Sequence, residues 1–417
     1  MRMMADRHPL SVMPPCISCR QTLVPLTFFM LRLALKMLFG DTGKYLMLVA
    51  GLVFATFLMA QQAAVFCGLM SWTTATLKNV PAPIWVVEKK VEQVNETNPL
   101  LDTDVARVRS VDSVEWAAPI YSGIQRVRLA NGNFKMIQLI GIDATTLAGA
   151  PPKLQPGQGR LEDLRLPHAV IIDDLGRKRL ASEKGKLVNL GDVFELNDQE
   201  ARVVGIADAM MSFTGGPYVW TTYERALQYT PAQRKMLSAV IAAPKPGISE
   251  EQAVADIERE TGLRAYLNRG FGDSDKDFNT STVWWYIRNT GIPISFGITV
   301  VVGFVVGMAI SCQTFYTFVM EHMKHLGALK AMGASNWTLC MMLVTQAFTV
   351  GLVGYGIGMF LTASFARVAL ANKQPPFYMP IQVPFAVLGV ILFICGFSAL
   401  LGIWRVSRLE PAMVFRG

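Results

Sequence analysis

EHMKHLGALKAMGAS, residues 321–335, is the short charged and glycine-punctuated stretch on which the reading of this chain turns. On either side stand runs with no Asp, Glu, Lys or Arg, from Asn289 to Met320 and from Ala331 to Ala366. A bilayer core of about 30 Å is crossed by about 20 apolar residues in helical form, and each run exceeds that. The stretch is therefore expected to be a short hairpin at one membrane face. It is too short for a domain and too ordered in composition for a linker.

Two more charge-free windows, Tyr45–Leu77 and Gln374–Trp404, complete the pattern. Of the 417 residues, 52% are hydrophobic and only 17% charged, where a soluble chain carries about a quarter charged residues. Buried helices of a soluble protein would show shorter runs broken by charges, so a four-span membrane protein is expected. No cleaved signal is read at the N-terminus, because Arg32 and Lys36 interrupt the apolar run Leu23–Phe39. Leu31, Ala34, Leu35 and Leu38 share one helical face there, which predicts an interfacial helix leading into the first span. Residues before Thr22 are expected to add little structure.

Charge placement predicts topology. Residues 1–44 hold six Lys/Arg, the 321–336 loop two, and the segment after Trp404 three, against four acidic residues in all three together. Positive residues near span ends stay cytoplasmic, which places both termini and the loop inside and the 71–285 segment outside. That segment, with 25 Lys/Arg and 27 Asp/Glu, is nearly neutral, so the net charge of +8 reflects membrane orientation and not nucleic-acid binding.

The outer segment is long enough for a sizeable core. Ile84–Val87, Met136–Ile140, Ala169–Ile172, Ala201–Ile206 and Ala239–Ala242 are apolar or β-branched runs bounded by turn residues and read as strands. Ser249-x-x-Gln252 reads as a capping box for a helix through Thr261, ended by Gly262. A mixed α/β domain is expected, subdivided near Ala150–Gly159 and Phe213–Pro217. It contains no cysteine. Cys67, Cys312, Cys340 and Cys395 fall in spans as small hydrophobes, and Cys16-x-x-Cys19 lacks the second ligand pair of a zinc site.

Within the spans, Gly303/Gly307 and Gly354/Gly358 form small-xxx-small pairs of the kind that lets helices pack closely. Gln61, Gln62 and Gln346 are costly facing lipid and are expected to face other helices or a cavity. No ionisable residue lies deep in a span, which argues against an ion-coupled carrier. Gly43-Lys44-Tyr45 lacks the spacing and hydroxyl of a phosphate-binding Walker A loop. His8, His168, His322 and His325 are too few in any one compartment for a conventional multi-histidine zinc site. Asp173-Asp174 and Asp273/Asp275/Asp277 read as turn and cap residues. No catalytic, cofactor-binding or metal-ligating residue is assigned.

Gly327-Ala-Leu-Lys-Ala-Met-Gly-Ala-Ser335 resembles the cytoplasmic coupling segment of the FtsX-like, MacB-type ABC transporter permeases, with its pattern G-x-L-[KR]-A-[IML]-G-A. Arg405-Val-Ser-Arg408-Leu-Glu-Pro411-Ala412-Met-Val-Phe-Arg416 resembles the family's terminal RLxPAxxLR signature. The one-plus-three span plan is a third point of likeness. Glu321–Gly327 and Met59-Ala-Gln61 look closest to the DevC-like branch, whose members have no fused ATPase. Where many relatives carry Arg-Glu, this chain has Lys324-His325, so a salt bridge to a partner at His325 is in doubt.

The resemblance implies a non-catalytic, homodimeric permease of the bacterial inner membrane. Its ATPase, with ATP and Mg²⁺, is expected on a separate chain, with a periplasmic adaptor protein and an outer-membrane channel as further partners. The implied coupling residues are Glu321, Lys324, His325, Leu326, Gly327, Leu329, Lys330, Met332 and Gly333. Leu326, Leu329, Lys330 and Met332 are expected to dock, and Gly327 and Gly333 to allow close approach and helix ends. Arg408, Pro411, Ala412 and Arg416 carry the C-terminal motif. The expected plan is a cytoplasmic tail and interfacial helix over 1–44, a first transmembrane helix over 45–70 and a MacB-like periplasmic α/β domain over 71–285. A second span over 286–320, the coupling helix over 321–336 and a third span over 337–365 follow. An external loop over 366–381, a fourth span over 382–404 and a cytoplasmic tail over 405–417 complete it. Export of a substrate is the expected function, with transmembrane signalling to an extracytoplasmic partner, as in FtsX-type regulators, as the alternative.

Overall fold

The computed structural model describes residues 42–181, 186–232, 235–270, 272–273 and 275–407. The tail and interfacial helix up to residue 41, the Cys16/Cys19 pair, and the motif residues Arg408, Pro411, Ala412 and Arg416 lie outside these residues.

Four helices among the described residues are long and apolar enough to cross a membrane. They are α1 (Thr42–Thr73), α8 (Ile292–Glu321), α10 (Asn336–Asn372) and α11 (Gln382–Ser407). The first is followed by a mixed α/β domain, so the one-plus-three plan holds. α10 runs seven residues past the expected end of the third span and shortens the loop before α11 accordingly. At 1.5 Å per residue its 37 residues reach about 55 Å, well beyond the hydrocarbon core, which lets Arg367 sit in its last turns.

The domain's strands are β1 (Ile84–Val87), β2 (Val114–Arg128), β3 (Phe134–Ile142), β4 (Ala169–Asp173), β5 (Val193–Leu196), β6 (Gln199–Ala207), β7 (Tyr218–Thr222), β8 (Ala239–Pro244) and β9 (Arg264–Leu267). Short helices α2 (Ala75–Asn79), α3 (Asp104–Arg109), α4 (Asp174–Arg179), α5 (Tyr223–Gln228), α6 (Glu250–Thr261) and α7 (Phe278–Asn289) lie between and around them. Strand order is β3-β7-β4-β6-β5-β2-β8-β1-β9, and β3 pairs back onto β2. Six strands thus close on themselves, while β2, β8, β1 and β9 continue as an antiparallel four-stranded sheet.

The 15-residue β2 belongs to both parts. Trp116–Ile120 pairs with β8 and Tyr121–Arg128 pairs with β3. The domain therefore subdivides at Ile120/Tyr121 within one strand, not at the expected Pro/Gly-rich stretches. Pro119, which cannot donate to a ladder, stands where β2 is paired on one side only.

Side-chain alternation sorts the core. Tyr121, Val127, Leu139, Val170, Ile172 and Val219 fill the closed part. Ile84, Val86, Val240 and Ala242 pack under Val108, Ala253 and Ile257 from α3 and α6. Their strand neighbours Trp85, Val87, Ala239 and Ile241 point the other way, into a third cluster with Ile120, Trp220, Tyr266 and Phe278. Both faces of β1 and β8 are buried, which is why their sequences are solid apolar runs.

By internal packing the described chain divides into two compact units: residues 54–306 with 356–390, holding the α/β domain, and the remaining residues, holding the 321–335 segment.

Candidate functional site

The 321–335 segment folds as a nine-residue helix, α9 (Met323–Ala331), one residue after α8. The break falls at His322, whose ring lies 4.2 Å from that of Phe318 and whose Nδ1 is 2.9 Å from the Phe318 carbonyl. The C-terminal end is tightly specified. Gly333 adopts φ +98°, its N–H donates to the Lys330 carbonyl, and the Ala334 N–H donates to the Leu329 carbonyl, both at 3.0 Å. This paired closure needs a residue in the left-handed region, which glycine enters without steric cost. Ser335 then starts α10 by accepting the Thr338 N–H at 3.2 Å.

One face of α9 is turned outward. Lys324, His325, Ala328, Ala331 and Met332 are exposed, Met332 at 76%, while Leu326 (2%) and Gly327 are buried. Met323 and Lys330 are half-buried on the arc between Leu326 and Gly327, Leu329 is half-buried at the margin, and Glu321 and Gly333 are exposed at the two ends. At 100° per residue the exposed positions share one arc and the buried ones lie opposite. Leu326 lies on the buried side of α9, where it anchors the helix to its own chain. Trp337, 75% exposed in the first turn of α10, was not singled out in the sequence, where its only signal was a large aromatic among polar residues.

The helix-packing glycines are all buried. Gly303 faces α1, where an added Cβ would stand 3.0 Å from Leu58 Cδ2. Gly307 and Gly358 are buried, and the Gly358 carbonyl accepts the Thr362 hydroxyl at 2.9 Å. A Cβ at Gly354 would be 2.7 Å from Leu52 Cβ, and one at Gly351 would be 2.5 Å from Cys395 Sγ. Nearby, Ser398 donates to Ser311 at 3.0 Å, a polar contact joining α8 and α11 in an apolar setting.

At the other end, α7 fixes the start of α8 to the α/β domain. Phe278 is fully buried and stacks on Tyr266 at 4.5 Å, Thr282 accepts the Val94 N–H at 3.1 Å, and Ser281 donates to the Glu92 carbonyl at 2.7 Å. Asp277 caps α7 by accepting the Thr280 N–H, and Asp173 caps α4 by accepting the Gly176 N–H. Burial raises the Asp173 carboxyl to about 7, against the opposing amides of Gly176 and Tyr218 and the Lys373 ammonium. Lys373, in the loop after α10, pairs with Asp174 at 3.3 Å and Asp208 at 3.6 Å. Among the described residues no cluster of three or more His, Cys, Asp or Glu side chains is placed to hold a metal ion.

Comparison with known proteins agrees with this architecture. The model of the MacB-like periplasmic core domain matches residues 46–260, and that of the FtsX-like permease C-terminal region matches residues 286–411. The macrolide export ATP-binding/permease protein MacB of Sodalis glossinidius is 26% identical over 250 residues, 58% of this chain and 37% of its own length. The protein of the same name from Escherichia coli is 23% identical over 369 residues, 84% of this chain and 54% of its own length. This chain thus spans about half, or less, of those two relatives. The solved periplasmic region of MacB from Actinobacillus actinomycetemcomitans aligns with 51% of this chain and 95% of its own, at 14% identity and a TM-score of 0.36. With one domain model covering more than half of the sequence and a second covering the region after it, the chain belongs to the MacB/FtsX family of ABC transporter permeases.

Proposed function

We propose that this chain is the permease subunit of an ABC exporter of the DevC-like kind, driven by a separate cytosolic ATPase that binds ATP and Mg²⁺. The ATPase docks on the outward face of α9, formed by Lys324, His325, Ala328 and Met332, with Trp337 beside it. ATP-driven closure of two ATPase copies on a homodimer shifts α9. The continuous α8 carries that movement to α7 and the α/β domain, which extrudes substrate. Both termini and α9 are cytoplasmic and the domain is periplasmic, in line with the Lys/Arg count. A periplasmic adaptor and an outer-membrane channel complete the path.

The observation that carries the reading is the exposure of Met332, at the closed C-terminal end of a short helix anchored through Leu326, and of Trp337 in the first turn of the next helix. Exposed large apolar side chains flanked by charge mark interaction surfaces. The test is purification of the full-length chain from native membranes, with identification of retained subunits by mass spectrometry. An ABC ATPase at one copy per permease is expected, lost in a Met332→Asp/Trp337→Asp variant. Recovery of the intact chain with no ATP-hydrolysing partner would defeat the proposal.

A further inference from the structure

α9 is flanked by two long helices, α8 before it and α10 after it. α10 starts at Asn336, across the short Met332–Ser335 turn, and runs without a break to Asn372. The next residue, Lys373, reaches the α/β domain. Its ammonium lies 3.3 Å from Oδ2 of Asp174, the first residue of α4, and 3.6 Å from Oδ1 of Asp208, just past β6. Asp174 also pairs with Lys178 at 3.4 Å and accepts from the Gln155 amide at 3.3 Å, so Lys373 joins a network fixed within the domain. The buried Asp173 carboxyl lies in the field of the same ammonium.

The backbone at Lys373 shows that the position is held for its side chain. Its φ is +52°, its N–H donates to the Leu370 carbonyl at 3.2 Å, and the Gln374 N–H donates to the Ala369 carbonyl at 3.1 Å. This is the same paired closure that ends α9, where Gly333 occupies the corresponding place. Glycine enters the left-handed region freely and lysine does not, so a lysine here carries a steric cost that its ion pairs offset. Beyond Lys373 the loop is seated on α1. The Tyr378 N–H donates to the Ala64 carbonyl at 3.1 Å, and a Cβ at Gly68 would stand 2.6 Å from the Phe377 nitrogen. The Phe377 ring lies 6.1 Å from that of Phe365 in α10. Close backbone contact thus ties the loop to the helices, and ion pairs tie it to the domain.

We infer that α10 and Lys373 form a second route by which movement of α9 reaches the α/β domain, alongside α8 and α7. Lys373 is a positioning residue: it draws α4 and the end of β6 along with the end of α10. Two carboxylates from separate elements share the load, since one partly exposed ion pair is weak alone. The inference rests on the permease reading for the source of the movement and not for the contact itself.

The contact is tested on the full-length chain alone, in an uncharged detergent, with a water-soluble carbodiimide. The reagent activates an Asp carboxyl, the Lys373 amine displaces it to form an amide, and the reagent leaves as its urea. Mass spectrometry is expected to find Lys373 joined to Asp174 or Asp208, and absence of both products would overturn the inference. The route is tested by hydrogen exchange of the chain with its co-purified ATPase, before and after trapping with ATP, Mg²⁺ and vanadate. In the wild type, exchange in both α4 and α7 is expected to change at least about threefold on trapping. Lys373→Gln should lose the α4 change and keep the α7 change, and Lys373→Arg, which retains the charge, should behave as wild type. An α7 response with none at α4 in the wild type, or an α4 response undiminished in Lys373→Gln, would overturn the second route and leave the permease reading standing. No response at either helix would remove both.

Discussion

Asp173 makes the α/β domain's stability depend on pH in a direction opposite to that of most carboxylates. Its carboxyl is almost fully buried between the cap of α4 and the loop holding Lys373, and burial raises it from 3.8 to about 7. In the unfolded chain the group releases its proton near pH 4, whereas in the folded domain it keeps it until near 7. Between those values the native state binds the extra proton, so stability falls as pH rises across this window. At 1.36 kcal/mol per unit the full span is worth up to about 4 kcal/mol. Between pH 5 and pH 8 about two of those units are crossed, worth up to about 2.7 kcal/mol, and each kcal/mol moves the midpoint of a domain of this size by about 2–4 °C, so the wild-type transition should fall by up to about 5–11 °C over that range. Asp173→Asn keeps an acceptor for the Gly176 N–H but cannot ionise, and its midpoint should vary much less over the same range. The assay is thermal unfolding of full-length wild type and variant in one detergent, followed by tryptophan emission, with Trp220 buried in the same domain. A wild-type midpoint that rises with pH, or one that tracks the variant throughout, would refute the reasoning.

Other consequences are local. Gly354→Val should lower thermal stability by about 1–3 kcal/mol, because its side chain would enter the space of Leu52. Gly356→Val, with nothing within 4 Å, should be tolerated, and equal midpoints for the two would count against the packing. Phe278→Ala removes a fully buried ring stacked on Tyr266 and should cost about 3–5 kcal/mol in chemical denaturation. Ser249→Ala takes away the cap on the Gln252 N–H and should cost about 0.5–2 kcal/mol by the same measure.

The sequence made the membrane architecture legible because charge is excluded from hydrocarbon: four windows without ionisable residues mark the four long helices. β1, β4 and β8 were equally readable, since burial on both faces writes a solid apolar run. β2 was not, because it carries Pro119 and Gly123 and changes partners from β8 to β3 and β5 along its length, so no single pattern runs through it. β7, Tyr218–Thr222, was hidden behind the Phe213–Pro217 stretch that reads as a break. Which apolar residues of α9 face outward was not legible in the sequence, for a general reason. An apolar residue on a short helix is either an anchor or a contact, and only the fold distinguishes the two. Leu326 is the anchor, Met332 the exposed side chain, and Trp337 entered with the structure.

The central claim is that force enters through the outward face of α9, and ATP turnover measures it most directly. The full-length chain is reconstituted in nanodiscs with the ATPase recovered alongside it, and the rate is compared for wild type, Met332→Asp and the distant control Phe134→Asp, at an exposed position in β3. The account predicts that Met332→Asp reduces permease-stimulated turnover to near the rate of the isolated ATPase, while Phe134→Asp leaves it unchanged. Wild-type stimulation by Met332→Asp, and by Met332→Asp combined with Trp337→Asp, would contradict it.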